Sequence, residues 1–200
     1  MFKIFKVLLL LIFTTFSFSL NAHVQHYEDL KRIEFDIYRN NKLIGTHIFS
    51  FEKLDGQLAV KSEINFKIKK LGIVFYTYHV KGTEIYEDGK LIKFNSTTNQ
   101  NGKEKYVNMI LENEEYTIDG SSYQGKVPED YMLGTWWNHS IVKAEAQISA
   151  VSGRIIKQKV TFLGKEIIKL GEKSYNALHF NFASTDKKLT KGKRLNTDVW

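Results

Sequence analysis

The sequence predicts an all-β fold with minor α content: a large curved antiparallel sheet or half-barrel, crossed by one long, partly helical connection. Three observations carry this. Alternating apolar and polar residues recur along most of the chain, the period of a half-buried strand. Asn-Asn, Asp-Gly and Asn-Gly pairs punctuate these runs, and such residues accept the positive φ of tight hairpins. One stretch, residues 121–150, holds the only proline, Pro128, and few strand signals, so it reads as a connection.

Taken in order, Lys31 to Arg39 alternates, with Ile33, Phe35 and Ile37 on one face and Glu34, Asp36 and Tyr38 on the other. Asn40-Asn41 turns it into Lys42 to Lys53, and Asp55-Gly56 turns that into Gln57 to Lys69. Ile73 to Glu87 is a long strand rich in β-branched and aromatic residues, the types that pack well on a pleated surface. Asp88-Gly89 leads to Lys90 to Thr98, and Asn99 to Gly102 closes a hairpin into Lys103 to Glu112. Tyr116 to Asp119 is a short piece. Within the connection, Glu129 to Leu133 and Ser140 to Gln147 read as short helical turns. Strands resume at Arg154 to Leu163, Lys165 to Leu170 and Tyr175 to Phe182, and a final run starts at Lys193. No repeat, low-complexity tract or linker divides the chain.

The amino terminus is a separate object. Lys3 and Lys6 precede the apolar run Val7 to Phe13, and small or polar residues follow, with cleavage expected after Ser19 or Ala22. This is the pattern of a secretory signal peptide, and the run is shorter than the roughly 20 residues a spanning helix needs. The expected organisation is a signal peptide over residues 1–22 and a single antiparallel β domain over 23–200, exported to the periplasm of a Gram-negative bacterium. No transmembrane helix is expected after cleavage. Asn196 to Trp200 has a strand's composition without a stop signal, so the domain reads as C-terminally truncated.

The chain has no cysteine, which excludes a disulfide framework, a thiolate nucleophile and a lipid-anchoring cysteine. With 42% hydrophobic residues it can bury a core of its own. The formal net charge is +7, carried mostly by lysine, with arginine only at 32, 39, 154 and 194. That balance suits phospholipid headgroups or anionic glycans, while export and the lack of a dense basic motif speak against nucleic acid. The competing reading is that the lysines solvate exposed strand faces.

Several short motifs together resemble an uncharacterised family of exported bacterial proteins, a domain of unknown function. They are Ile44-Gly45-Thr46-His47, Tyr78-His79 leading to Glu84, Asp88-Gly89-Lys90-Leu91, Thr98 to Gly102, Trp137-Asn138 and Asp198-Val199-Trp200. The resemblance implies an envelope compartment and a fold similar to lipoprotein-carrier-like half-barrels. It carries over no catalytic residue, and function argued from fold alone is analogy.

Residues able to carry chemistry are few. If cleavage follows Ala22, His23 becomes an amino terminus whose amine and imidazole together chelate copper, with His47 or His79 completing the site. The competing reading is a frayed start, and no metal or cofactor is expected. His47 shares a face with Phe49 and Phe51; His79 shares one with Phe75 and Thr77. Pointing into one concavity with Glu84 or Tyr78, the two histidines would be acid–base groups; otherwise they are packed sheet residues. His139 reads as holding the connection to the sheet, and His179 as exposed. No nucleophile elbow and no glycine-rich phosphate loop is present.

The aromatics Phe75, Tyr76, Tyr78, Tyr86, Tyr106, Trp136 and Trp137 suggest a pocket under a tryptophan-bearing lid, against the plainer reading that they are core. The expected ligand-binding residues are Tyr76, Tyr78, His47, His79, Trp136 and Trp137, and the expected ligand is a lipid or other amphipathic molecule. The alternatives are an enzyme centred on His47 and His79, or a structural interaction module using a sheet edge.

Overall fold

The computed structural model describes residues 29–190 and 194–200, so the expected signal peptide and His23 lie outside the described residues. Eight strands form an uninterrupted meander: β1 (Arg32–Arg39), β2 (Lys42–Leu54), β3 (Gln57–Lys70), β4 (Ile73–Glu87), β5 (Lys90–Gln100), β6 (Lys103–Glu112), β7 (Glu115–Gly120) and β8 (Tyr123–Pro128). Each pairs antiparallel with the next, in sequence order. The sheet stays open, with β1 and β8 as its edges.

Local chemistry sets the turns. Asn40 and Asn41 (φ 50 and 59), Asp55-Gly56 (43 and 84), Asp88-Gly89 (47 and 78) and Asn101-Gly102 (51 and 84) all take the left-handed pairs of φ that tight hairpins require. Leu71-Gly72 does the same at 51 and 80, where a leucine has no side-chain hydrogen bond to offset its steric cost.

A second sheet, ordered β13-β12-β11-β10-β9, uses β9 (Met132–Leu133), β10 (Ala146–Ile148), β11 (Ile155–Leu170), β12 (Lys173–Ser184) and β13 (Asn196–Val199). Among the described residues only β9 and β10 pair parallel. A 3-10 helix over His139–Lys143 sits between them, capped by the Asn138 side chain accepting from the Ser140 N–H.

The connection differs from expectation in three places. Tyr123–Pro128 is a strand of the first sheet, paired with β7, not part of the crossing. Glu129 to Leu133 is not helical, because Met132 and Leu133 find backbone partners in Gln147 and Ile148. Ser140 to Gln147 is helical only in its first half. Further on, Arg154 to Leu163 and Lys165 to Leu170 are one strand, joined through a bulge at Gly164 (φ 138).

One face of the first sheet carries the core. Phe49, Phe51, Leu58, Val60, Tyr86, Phe94, Val107, Met109, Tyr116 and Ile118 are buried there, with Leu133, Trp137 and Ile148 of the connection and second sheet packed on them. Full burial of such side chains contributes about 1.5–3 kcal/mol each before entropy is counted. The connection comes down onto bare backbone. A Cβ at Gly120 would stand 2.8 Å from the Ser152 carbonyl oxygen, and the Ser96 hydroxyl donates to the Ala150 carbonyl at 2.5 Å.

Candidate functional site

The inner face of the first sheet has a closed end and an open end. At the closed end stands Glu84 of β4, fully buried, between Val60 of β3 and Phe94 of β5. Strand alternation places it there, since Val80, Gly82 and Tyr86 share its parity. The Trp137 indole N–H donates to its Oε1 at 2.9 Å and the Tyr86 hydroxyl to its Oε2 at 2.6 Å, with a further hydrogen bond from Thr135. The Trp137 ring meets Phe51 and Tyr86 edge to face, at centroid distances of 5.3 and 5.5 Å. Burial pushes the Glu84 carboxyl up to about 7, against the opposing pull of those hydrogen bonds. Burial, then the Glu84 charge, pushes the Tyr86 phenol up as well. This is a clamp: one carboxyl on the sheet holds the connection through Thr135 and Trp137, with both oxygens engaged. Beside it lies a cleft of about 290 Å³, bounded by Tyr86, Leu91, Tyr116, Tyr131 and Asn138, with a Lys90–Glu129 ion pair at 3.2 Å among its wall residues.

Moving along the same face, the residues change from buried to half-buried. The register sets Phe35, His47, Ile64 and Val80 in one row and Gly45, Phe66 and Tyr78 in the next. Phe66 stacks on Tyr78 at 4.9 Å and on Tyr76 at 6.0 Å. His47 lies 4.2 Å from Phe49 and 6.2 Å from Phe35, ring to ring. Burial alone holds the His47 imidazole down at about 4, so the ring is neutral at ordinary pH. Burial, with Tyr76 beside it, pushes the Tyr78 phenol up to about 12. Gly45 is what lets β2 approach here: a Cβ on it would overlap the Asn65 carbonyl oxygen and the Cβ of Phe66. Next to this row lies a shallow hollow of about 440 Å³ whose walls include Lys42, Leu43, Phe66, Lys67 and Lys69.

The residues singled out from the sequence therefore separate. His47, Tyr76 and Tyr78 share the open end of the inner face. Trp137 belongs to the closed end, while Trp136 packs edge to face on Phe182 of β12 at 5.0 Å. His79 points to the outer face, 3.0 Å from Glu63, so it converges with neither His47 nor Tyr78. Tyr106 is also on the outer face, donating to Asp119. Among the described residues no group of three His, Asp or Glu side chains is placed to hold a metal ion.

His179 is not the exposed residue its strand position suggests. Its side chain is 13% exposed, with Nδ1 2.8 Å from Glu166 and the ring stacked on Trp200 at 4.3 Å. The Trp200 indole N–H donates to the other oxygen of Glu166 at 2.8 Å. Alternation along one strand could not reveal this, because the covering ring comes from the far end of the chain.

A family model for a domain of unknown function, DUF6134, spans residues 35–199, from β1 to the last residue of β13. The chain belongs to the DUF6134 family. No curated protein and no solved structure matches it. In this DUF6134 member the glycine of Ile44-Gly45-Thr46-His47 is a place where no side chain fits, and the Trp137 of Trp137-Asn138 is the donor that engages Glu84.

Proposed function

We propose that this DUF6134 protein is exported to the envelope and binds the apolar part of an amphipathic molecule along the open end of its inner face. The observation that supports this is the group Phe35, His47, Phe66, Tyr76 and Tyr78: it continues the core face past the point where the connection covers it, as an aromatic surface that is half-buried except at the exposed Phe35. The histidine within it is neutral, so it opposes an acyl chain no more than a small polar group would. Burying eight methylenes at about 0.8 kcal/mol each supplies roughly 6 kcal/mol before association costs, which is enough for weak to moderate binding. Lys42, at the adjoining hollow, suits an acidic headgroup. The enzyme alternative lacks geometric support, since His47 and His79 lie on opposite faces.

Titration with a fluorescent fatty acid in vesicle-free buffer tests this. Wild type should bind, and Phe66→Ala with Tyr78→Ala should weaken binding about tenfold or more, at a cost of two lost aromatic contacts of about 0.5–1.5 kcal/mol each plus their area. Unchanged affinity in a folded double variant would sink the reading. Export is tested separately: a processed chain from the periplasm of a Gram-negative host should begin at Leu20 or His23, and an intact Met1 in the membrane fraction would refute it.

A further inference from the structure

The hairpin turns of the meander alternate between the two ends of the first sheet, and the two ends differ in charge. One end holds the turns at Asn40-Asn41, Leu71-Gly72 and Asn101-Gly102, and carries Arg39, Lys42, Lys67, Lys69, Lys70 and Lys103. Neither residues 37–45 nor residues 65–78 contain an Asp or Glu. The opposite end holds the turns at Asp55-Gly56, Asp88-Gly89 and Asn113-Glu114, with Glu87, Glu112 and Glu115 beside them. Lysine is sparse there, and Lys90 is paired with Glu129.

The basic end is also the apolar one. Leu71 is 93% exposed and Ile73 65%, and Tyr38, Leu43, Val74 and Phe75 are exposed with them. The β1–β2 and β3–β4 tips are neighbours, because Gly45 pairs with Phe66 just below both. Leucine occupies the most exposed point of the tip at φ 51, where the other left-handed turn positions of the meander carry Asn, Asp, Glu or Gly. The acids at this end, Asp36 accepting from the Tyr38 hydroxyl and Glu104 from the Asn99 amide, are outnumbered by its cations, so large apolar side chains displayed in water there fit one partner by charge and by chemistry.

We propose that this end docks on an anionic lipid bilayer, with Leu71, Ile73 and Phe75 entering the headgroup–acyl boundary and the Lys42, Lys67, Lys69 and Lys70 ammonium groups lying among the phosphates. This goes beyond ligand uptake and does not depend on it. It would set the open aromatic row beside the membrane surface. The β11–β12 hairpin offers a contrast: Ile167, Leu170 and Tyr175 are exposed there too, but Glu166 and Glu172 alternate with its lysines.

Co-sedimentation of the full chain with vesicles of equal parts phosphatidylglycerol and phosphatidylcholine tests the proposal. The protein should pellet with these, remain in solution with phosphatidylcholine alone, and detach as salt rises. Lys69→Glu with Lys70→Glu should weaken binding well over tenfold, since each cation near an anionic surface is worth roughly fivefold. Leu71→Asn with Ile73→Thr, at side chains that face solvent, should weaken it severalfold. Lys165→Glu with Lys169→Glu on the β11–β12 hairpin should leave it unchanged. Fatty-acid uptake in vesicle-free buffer should persist in Leu71→Asn with Ile73→Thr, which separates docking from ligand binding, and circular dichroism should show both tip variants folded. Equal pelleting of wild type and both tip variants, equal pelleting with phosphatidylcholine alone, or loss of binding only in the β11–β12 variant would overturn the proposal.

Discussion

Replacing Glu84 by glutamine should make the protein's stability respond to pH in a way that isolates the clamp. The carboxyl rises from 4.5 to about 7 on folding because burial disfavours its charge. A folded-state pKa above the unfolded value means that the native state holds the proton more tightly, so its contribution is complete below pH 4.5 and is lost as pH rises through 7. At about 1.4 kcal/mol per pKa unit, the whole span is worth about 3 kcal/mol. The substituted amide stays neutral throughout; its oxygen can accept from Trp137 while its N–H donates to the Tyr86 oxygen. Urea denaturation at a series of pH values should show Glu84→Gln close to wild type near about pH 4 and more stable by up to about 3 kcal/mol near about pH 8. His47 runs in the opposite sense. Its pKa falls from 6.5 to about 4 on folding, so its contribution is complete above 6.5 and is lost as pH falls through 4. His47→Asn should therefore gain on wild type below pH 6.5, by less than the Glu84 effect because the ring is only partly buried. A difference between wild type and Glu84→Gln that does not change with pH would refute the account of Glu84 as a carboxyl that burial keeps protonated.

Two further substitutions test the sheet. Gly45→Ala forces a methyl group onto the Asn65 carbonyl, so β2 and β3 must part, and thermal unfolding should show a loss of at least about 2 kcal/mol. His79→Ala removes only a half-exposed contact with Glu63 on the outer face, so the same assay should show a change below about 0.5 kcal/mol, with fatty-acid affinity unaltered.

Most of the meander is legible in the sequence because its information is local: most hairpins advertise themselves through residues that tolerate positive φ, and most strands through alternation. Leu71-Gly72 lies between two strands that alternation alone separates. β8 is not legible, since Gly125-Lys126-Val127-Pro128 lacks alternation and owes its strand form to β7. β9 reads as helix because its two residues become a strand only when β10, far along the chain, pairs with them in parallel. Of the site, parity alone puts His47 beside Phe49, and the same parity sets His79 on the face opposite Tyr78. Glu84 has a signal of the same kind, as an acid in phase with Val80, Gly82 and Tyr86. Its partners do not, because Thr135 and Trp137 reach it through the connection. The charge difference between the sheet's ends is likewise present in the turn residues, but only the strand order shows which turns lie together.

Native mass spectrometry of the full chain, purified gently from an envelope extract, tests the binding account most directly. It predicts a population heavier than the bare chain by the mass of one lipid-sized molecule, and lower occupancy in the Phe66→Ala, Tyr78→Ala variant. A bare chain mass in wild type, together with no fluorescence change on adding fatty acids or lysophospholipids, would contradict it and leave the aromatic row as part of a purely structural sheet.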